Sequence, residues 1–198
     1  MIYGLGENME EPDFNFTGYT AKEYRSWNYK GYFEIIRGKA YRLTPPGYAS
    51  LHQSVFGALM VTLHDILKEG PYVMVQGPFE VYLTNQPNKF EETETVVMPD
   101  MIVSSHKDEL KDFGYVGVPE LIIEIISART AQKDLSDKFK AYEHFGVQEL
   151  WTVFLGENCI RQYKREQGAF VEKGLIFSGE HIQSICFPEI RVDVADIF

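Results

Sequence analysis

Between Glu120 and Ser127 the chain reads ELIIEIIS, an apolar run broken only by Glu124. A strand this evenly apolar is covered on both faces, which demands layers above and below one sheet. A helix follows, capped by Thr130 and ending near Gly146, and then a second strand over Glu149 to Leu155. Cys159 to Arg165 reads as its partner, turned by Gly156-Glu157-Asn158. This alternation predicts an α/β (α+β) fold. A length of 198 residues with 44% apolar types suits one such domain better than two.

Upstream, residues 1–18 are rich in Gly, Glu and Asn and read as a loose arm, leaving 19–198 as the domain. Thr20-Ala21-Lys22-Glu23 is a capping box opening a short helix to about Trp27. Glu34-Ile35-Ile36 and Ala40 to Leu43 flank Arg37-Gly38-Lys39, a hairpin signature. After Pro45-Pro46-Gly47, Ser50 to Gln53 reads as a second capping box, for a helix reaching Gly70. Its expected buried stripe is Leu51, Val55, Leu59, Thr62, Leu63 and Ile66, with His52 in the first turn and His64 pointing away. Strands are expected at Tyr72 to Val75, Phe79 to Leu83 and Val96 to Ser104. Thr84 to Thr95 reads as an acidic loop, and Asp193 to Phe198 as a last helical turn.

Polar residues inside apolar elements carry the functional signal. Asp100 sits among Met98, Met101, Ile102 and Val103, and Glu124 shares a strand face with Ile122 and Ile126. A carboxylate there costs several kcal/mol unless it is paired, hydrogen-bonded or bound to a cation. Taken singly, Asp100 reads equally as a solvated strand end and Glu124 as half of a buried ion pair; together they favour a shared cation. On the next helix Lys138 falls within the apolar stripe of Leu135, Phe139 and Tyr142, as a snorkelling stem or as a lysine aimed at the carboxylates. His52 taken alone fits a satisfied core histidine, and Glu34 a strand-edge charge. Carboxylates converging with a lysine suit hydrolysis of a phosphodiester with Mg²⁺ or Mn²⁺, because hard oxygen ligands select those ions.

The order Pro99-Asp100, Glu124 to Ser127, Asp134, Lys138 with Tyr142, then Gly146 to Trp151 resembles the Uma-two group, a bacterial family of the PD-(D/E)xK nuclease superfamily. Tyr32 to Ile36, Pro45-Pro46 and Leu51-His52-Gln53 match its first hairpin and helix, so the resemblance spans about residues 19 to 198. It implies a restriction-endonuclease-like fold, a mixed central sheet flanked by helices with an N-terminal hairpin. It also implies metal ligation by Asp100, Glu124 and the Ile125 carbonyl, assistance from Glu34, and a cleft lined by His52. The superfamily's Glu-x-Lys lysine is missing, since Ile126 holds that position; Lys138 is the implied substitute. Two departures stand out: the usual Asp-Gly-Glu turn is Arg37-Gly38-Lys39, and the usual Ser-Pro-Ser-Thr run is Ser127-Ala128-Arg129-Thr130.

A net charge of −10 excludes a general nucleic-acid coat, while leaving room for an enzyme with a local basic patch or bound metal. Lys22, Arg25, Lys30, Arg37, Lys39 and Arg42 form the expected DNA-facing stretch. Two cysteines, Cys159 and Cys186, at no metal-binding spacing make a reducing compartment the default, and the absence of a signal-like start or long apolar run predicts a cytoplasmic protein off the membrane. The leading expectation is a Mg²⁺- or Mn²⁺-dependent endodeoxyribonuclease. Its rivals are a catalytically silent fold that binds nucleic acid or dimerises, and a phosphoesterase acting on small substrates. A homodimer suits cutting of two strands, though no sequence feature fixes an interface.

Overall fold

The computed structural model describes residues 12–27, 31–43, 50–126 and 134–198. Residues 1–11, Lys30, Pro45-Pro46-Gly47 and Ser127 to Thr130 lie outside the described residues, as do the side chains of Asp134 and Leu135. Helix α1 spans Ala21–Ser26, and strands β1 (Tyr32–Ile36) and β2 (Lys39–Leu43) form the hairpin. The long helix α2 covers Ser50–Leu67, followed by β3 (Val73–Gln76), β4 (Val81–Tyr82), β5 (Val96–Val97) and β6 (Met101–Ser104). Strands β7 (Leu110–Lys111), β8 (Gly114–Val116) and β9 (Leu121–Ile126) lead to α3 (Asp134–Phe145). The chain closes with β10 (Glu149–Phe154), β11 (Cys159–Glu166), β12 (Ala169–Phe177), β13 (His181–Gln183) and β14 (Arg191–Asp193), then a 3-10 turn at Val194–Asp196.

The strands form two mixed sheets, ordered β2-β1-β5-β4-β8-β7 and β12-β11-β10-β9-β6-β3, with β13-β14 as a separate pair. This is the mixed α+β arrangement expected of a restriction-endonuclease-like fold. Parallel β9 and β10, joined through α3, occupy the middle of the second sheet, and every residue of β9 is buried. One face of that strand (Leu121, Ile123, Ile125) packs with Trp151 and Val153 against α2 and the C-terminal segment. On its other face Ile122 packs with Ile102, Tyr142 and Leu150, and with Ile36, Val81 and Val97 of the first sheet. Glu124 belongs to this second face, between the sheets and beneath α3.

Several local expectations need correction. Val96 to Ser104 is not one strand: Pro99 lacks an N–H for the ladder, so the chain leaves the first sheet after β5 and enters the second at β6. Asp100 therefore stands at the switch between sheets. Leu51 is exposed, and the buried stripe of α2 runs instead through His52, Val55, Leu59, Leu63 and Leu67. Ser50 is already helical, so it is not the residue before the helix. In the acidic loop Pro87–Glu92 forms 3-10 turns broken at Lys89, and further on Leu110–Lys111 pairs with Gly114–Val116 as β7–β8.

At α1 the Glu23 carboxylate accepts the Thr20 N–H at 2.7 Å, half of the expected capping box. The β1–β2 turn uses Arg37 and Gly38, both at positive φ (52° and 78°), as a two-residue hairpin requires. Gly38 is also needed for space, since a Cβ there would lie 2.7 Å from the Gly18 nitrogen. Residues 12–18, the described end of the expected arm, lie against this hairpin: Thr17 bridges Lys39, and Phe14 stacks on Phe33.

Candidate active site

Four elements deliver charged side chains to one buried point. Lys138 on α3 places Nζ 2.9 Å from Glu34 Oε1 of β1 and 2.8 Å from Glu124 Oε1 of β9. All three residues are less than a tenth exposed. The helical-wheel placement of Lys138 thus holds, and the ammonium closes an ion triad rather than snorkelling to solvent. Tyr142, one turn later on the same face, donates its hydroxyl to Glu124 Oε1 at 2.6 Å. Glu34 Oε1 also accepts the Met98 N–H at 2.7 Å, which pins the segment entering Pro99.

Asp100 approaches from the sheet switch. Its Oδ2 accepts the Ile125 N–H at 2.7 Å, and its Oδ1 lies 3.5 Å from His52 Nε2 of α2. A strand residue directs its N–H and C=O to the same side, so the Ile125 carbonyl also faces β6. Continuing the register Met101↔Ile123 places Pro99 opposite Ile125, and Pro99 has no proton to offer. Opposite Pro99, that carbonyl has no ladder N–H to accept. The other ring nitrogen of His52, Nδ1, is buried with no hydrogen-bond partner among the described residues.

Crowding shows in the protonation equilibria. Burial pushes the Glu124 carboxyl up to about 7; Lys138 opposes this, while Asp100 and Glu34 add to it. Burial alone would pull Lys138 down, yet attraction to Glu124 and Glu34 leaves its pKa raised, so it remains an ammonium. Burial, then the charges of Glu124 and Glu34, hold Tyr142 well above its usual range as a neutral donor.

The structure thus brings together all five sequence candidates, Glu34, His52, Asp100, Glu124 and Lys138, with the Ile125 backbone alongside. Sequence reasoning gave no role to Tyr142, although its spacing of four from Lys138 placed it on the same face. It also missed the bond from the Tyr41 hydroxyl to Asp137 Oδ2 (2.9 Å), which ties β2 to α3. Of the basic stretch, Lys22, Arg37 and Arg42 are exposed, Lys39 lies over the Tyr41 ring, and Arg25 stacks on Phe113. Lys30 is outside the described residues.

A family model described as "Putative restriction endonuclease" matches residues 21–195, nearly the whole chain. The chain belongs to the Uma2 family. A crystal structure of a putative nuclease from Anabaena variabilis shares the fold, with a TM-score of 0.69 at 16% identity over 91% of this chain and 97% of that one. No curated protein matches the chain. Among the described residues of this Uma2 member no helix is long and apolar enough to cross a membrane.

Proposed function

We propose that the protein is a divalent-metal-dependent endodeoxyribonuclease acting through Asp100, Glu124 and Lys138. The observation that carries this reading is the convergence of Asp100, buried Glu124 and a buried lysine held between Glu34 and Glu124 at the junction of two sheets. Membership of a nuclease family and the shared fold support it.

The donor set fits Mg²⁺ or Mn²⁺. Asp100, Glu124 and the Ile125 carbonyl offer hard oxygen only, and among the described residues no third His, Cys, Asp or Glu side chain completes a closed cage. A partial oxygen set suits an ion that keeps waters and takes phosphate oxygens as further ligands. When bound, such an ion polarises the scissile phosphodiester and lowers the pKa of a water. The protein's own groups do the rest. Glu34 and Glu124 keep Lys138 charged, so it offsets negative charge growing on the phosphate and does not act as a base. Tyr142 and Lys138 both meet Glu124 at Oε1, and among the described residues no donor meets Oε2, the oxygen offered to a cation. His52 and the Ile125 N–H hold Asp100 from opposite sides.

The test is cleavage of supercoiled plasmid with Mn²⁺ or Mg²⁺, wild type beside Asp100→Ala, with Mn²⁺ binding followed by calorimetry. Nicking and metal binding by the wild type alone are expected. Cleavage retained by Asp100→Ala would sink the assignment. Salt-sensitive DNA binding in a chelator, with no cleavage under any metal, would instead mark a silent nucleic-acid-binding module.

A further inference from the structure

Strand β1 serves two sides of the first sheet. Glu34 points to Lys138, whereas Phe33 and Ile35 pack with Tyr24 and Tyr82 on the opposite face. There a cavity of about 280 Å³ opens, lined by Tyr24, Trp27, Phe33, Phe113, Arg25 and Glu80. This is close to the small end of ligand pockets, about 300 Å³. The walls are braced by edge-on contacts, with Trp27 at 80° to Phe33 and Tyr82 at 84° to Phe113. Arg25 holds its guanidinium 4.0 Å from the centre of the exposed Phe113 ring, at the rim.

Glu80 is the unexplained group. Tyr24 donates its hydroxyl to Oε1 at 3.1 Å, and Tyr82 donates to Oε2. Burial followed by the Glu80 charge holds both phenols above their usual range, so both remain donors. No lysine, arginine or histidine among the described residues pairs with this carboxylate. A carboxylate accepts about four hydrogen bonds, so among the described residues two acceptor positions, one on each oxygen, are unfilled. The occupant is therefore flat enough for aromatic walls and carries two adjacent donors. Of the four DNA bases only guanine presents such an edge, N1–H beside N2–H₂. Adenine and cytosine each set one amino group beside an acceptor, and thymine has a single N–H between carbonyls.

We propose that this cavity receives one unpaired guanine of the nucleic-acid substrate, stacked on Trp27 with its N1–H and N2–H₂ on Glu80 and its backbone phosphate near Arg25. This rests on the nuclease reading and gives that activity a base preference, read on the far face of the strand that carries Glu34.

Trp27 provides the readout, because the other tryptophan, Trp151, is fully buried in the core. The wild-type protein in EDTA is titrated with dGMP, dAMP, dCMP and dTMP while tryptophan fluorescence is followed. Saturable quenching by dGMP at least tenfold tighter than by the others is expected. Glu80→Gln, its fold checked by circular dichroism, is expected to weaken dGMP at least tenfold and erase the preference. Should that variant unfold, Phe113→Ala at the rim is expected to weaken dGMP several-fold. No saturable quenching, equal quenching by all four nucleotides, or tighter binding of tetramethylammonium than of dGMP would overturn the proposal. Chelator removes metal from this assay, so a protein that binds dGMP yet leaves plasmid uncut with Mn²⁺ would overturn the nuclease reading alone.

Discussion

Glu124 and Glu149 are buried carboxylates on paired strands of one sheet, and their surroundings are opposites. Glu149, at the start of β10, is fully buried on the α2 side and has every oxygen saturated. Its Oε1 accepts from Trp151 Nε1 and Gln162 Nε2; its Oε2 accepts from the Ser184 hydroxyl and the Ile185 and Cys186 N–H groups. These are neutral donors, and they tie the C-terminal segment to the sheet. Glu124, on the other face, receives one ammonium and one phenol on a single oxygen and is crowded by Asp100 and Glu34. Burial therefore does not distinguish a structural carboxylate from one proposed to hold a metal. What distinguishes them is whether the donors fill the group or leave it poised.

The largest expected break of this contrast is on the saturated side. Glu149→Gln turns one acceptor oxygen into a donor facing donors, and unsatisfied buried groups cost about 1–3 kcal/mol each. Chemical denaturation is expected to show a loss of about 3 kcal/mol or more, with plasmid cleavage per folded molecule unchanged. Glu124→Gln is the inverse. Lys138 keeps Glu34 as a partner, so stability shifts by no more than about 1 kcal/mol, while cleavage and Mn²⁺ affinity fall by about a hundredfold or more. If the two variants lose stability and activity in parallel, the distinction fails.

A third expectation sharpens it through pH. With its carboxyl pushed up to about 7, Glu124 is available to a cation only once deprotonated. Mn²⁺ affinity measured by calorimetry should rise with pH up to about 7 and flatten above, falling about tenfold per pH unit below. For stability the sign is reversed. A folded-state pKa raised from 4.5 to about 7 stabilises the fold at low pH, and this contribution is lost as pH rises through 7. Glu124→Gln should remove both dependences.

How much of this was legible in the sequence follows from the same physics. Glu124 and Lys138 were visible because each breaks an apolar period that local geometry makes strict, two for a strand and 3.6 for a helix. Asp100 was visible as chemistry, but its place was misread. Whether Pro99 ends a strand or moves the chain to another sheet depends on what pairs with Met101, namely β3 and β9. Glu149 gave no signal at all, since three of its donors come from Ser184, Ile185 and Cys186, more than thirty positions away. Leu51 failed for a related reason. Periodicity gives the width of a buried stripe but not its centre, and the second sheet and C-terminal segment place that centre on the His52 to Leu67 line.

The smallest expected effect concerns Tyr142. Its hydroxyl is the one neutral donor on the Glu124 carboxylate among the described residues, and so the feature that most resembles the neutral shell around Glu149. Tyr142→Phe keeps the ring in the core beside Ile122 and Leu150 and removes only that bond, for a stability cost of about 1 kcal/mol. Because the bond favours the ionised carboxylate, its loss should raise the Glu124 pKa further, moving the pH midpoint of Mn²⁺ binding upward by less than one unit. Cleavage at pH 7 should then fall several-fold and recover at pH 8.5, as more Glu124 ionises. A purely structural role for Tyr142 predicts lower stability with no displacement of the midpoint and no recovery at high pH. A displaced midpoint would show that the partial shell around Glu124 tunes the carboxylate as well as burying it.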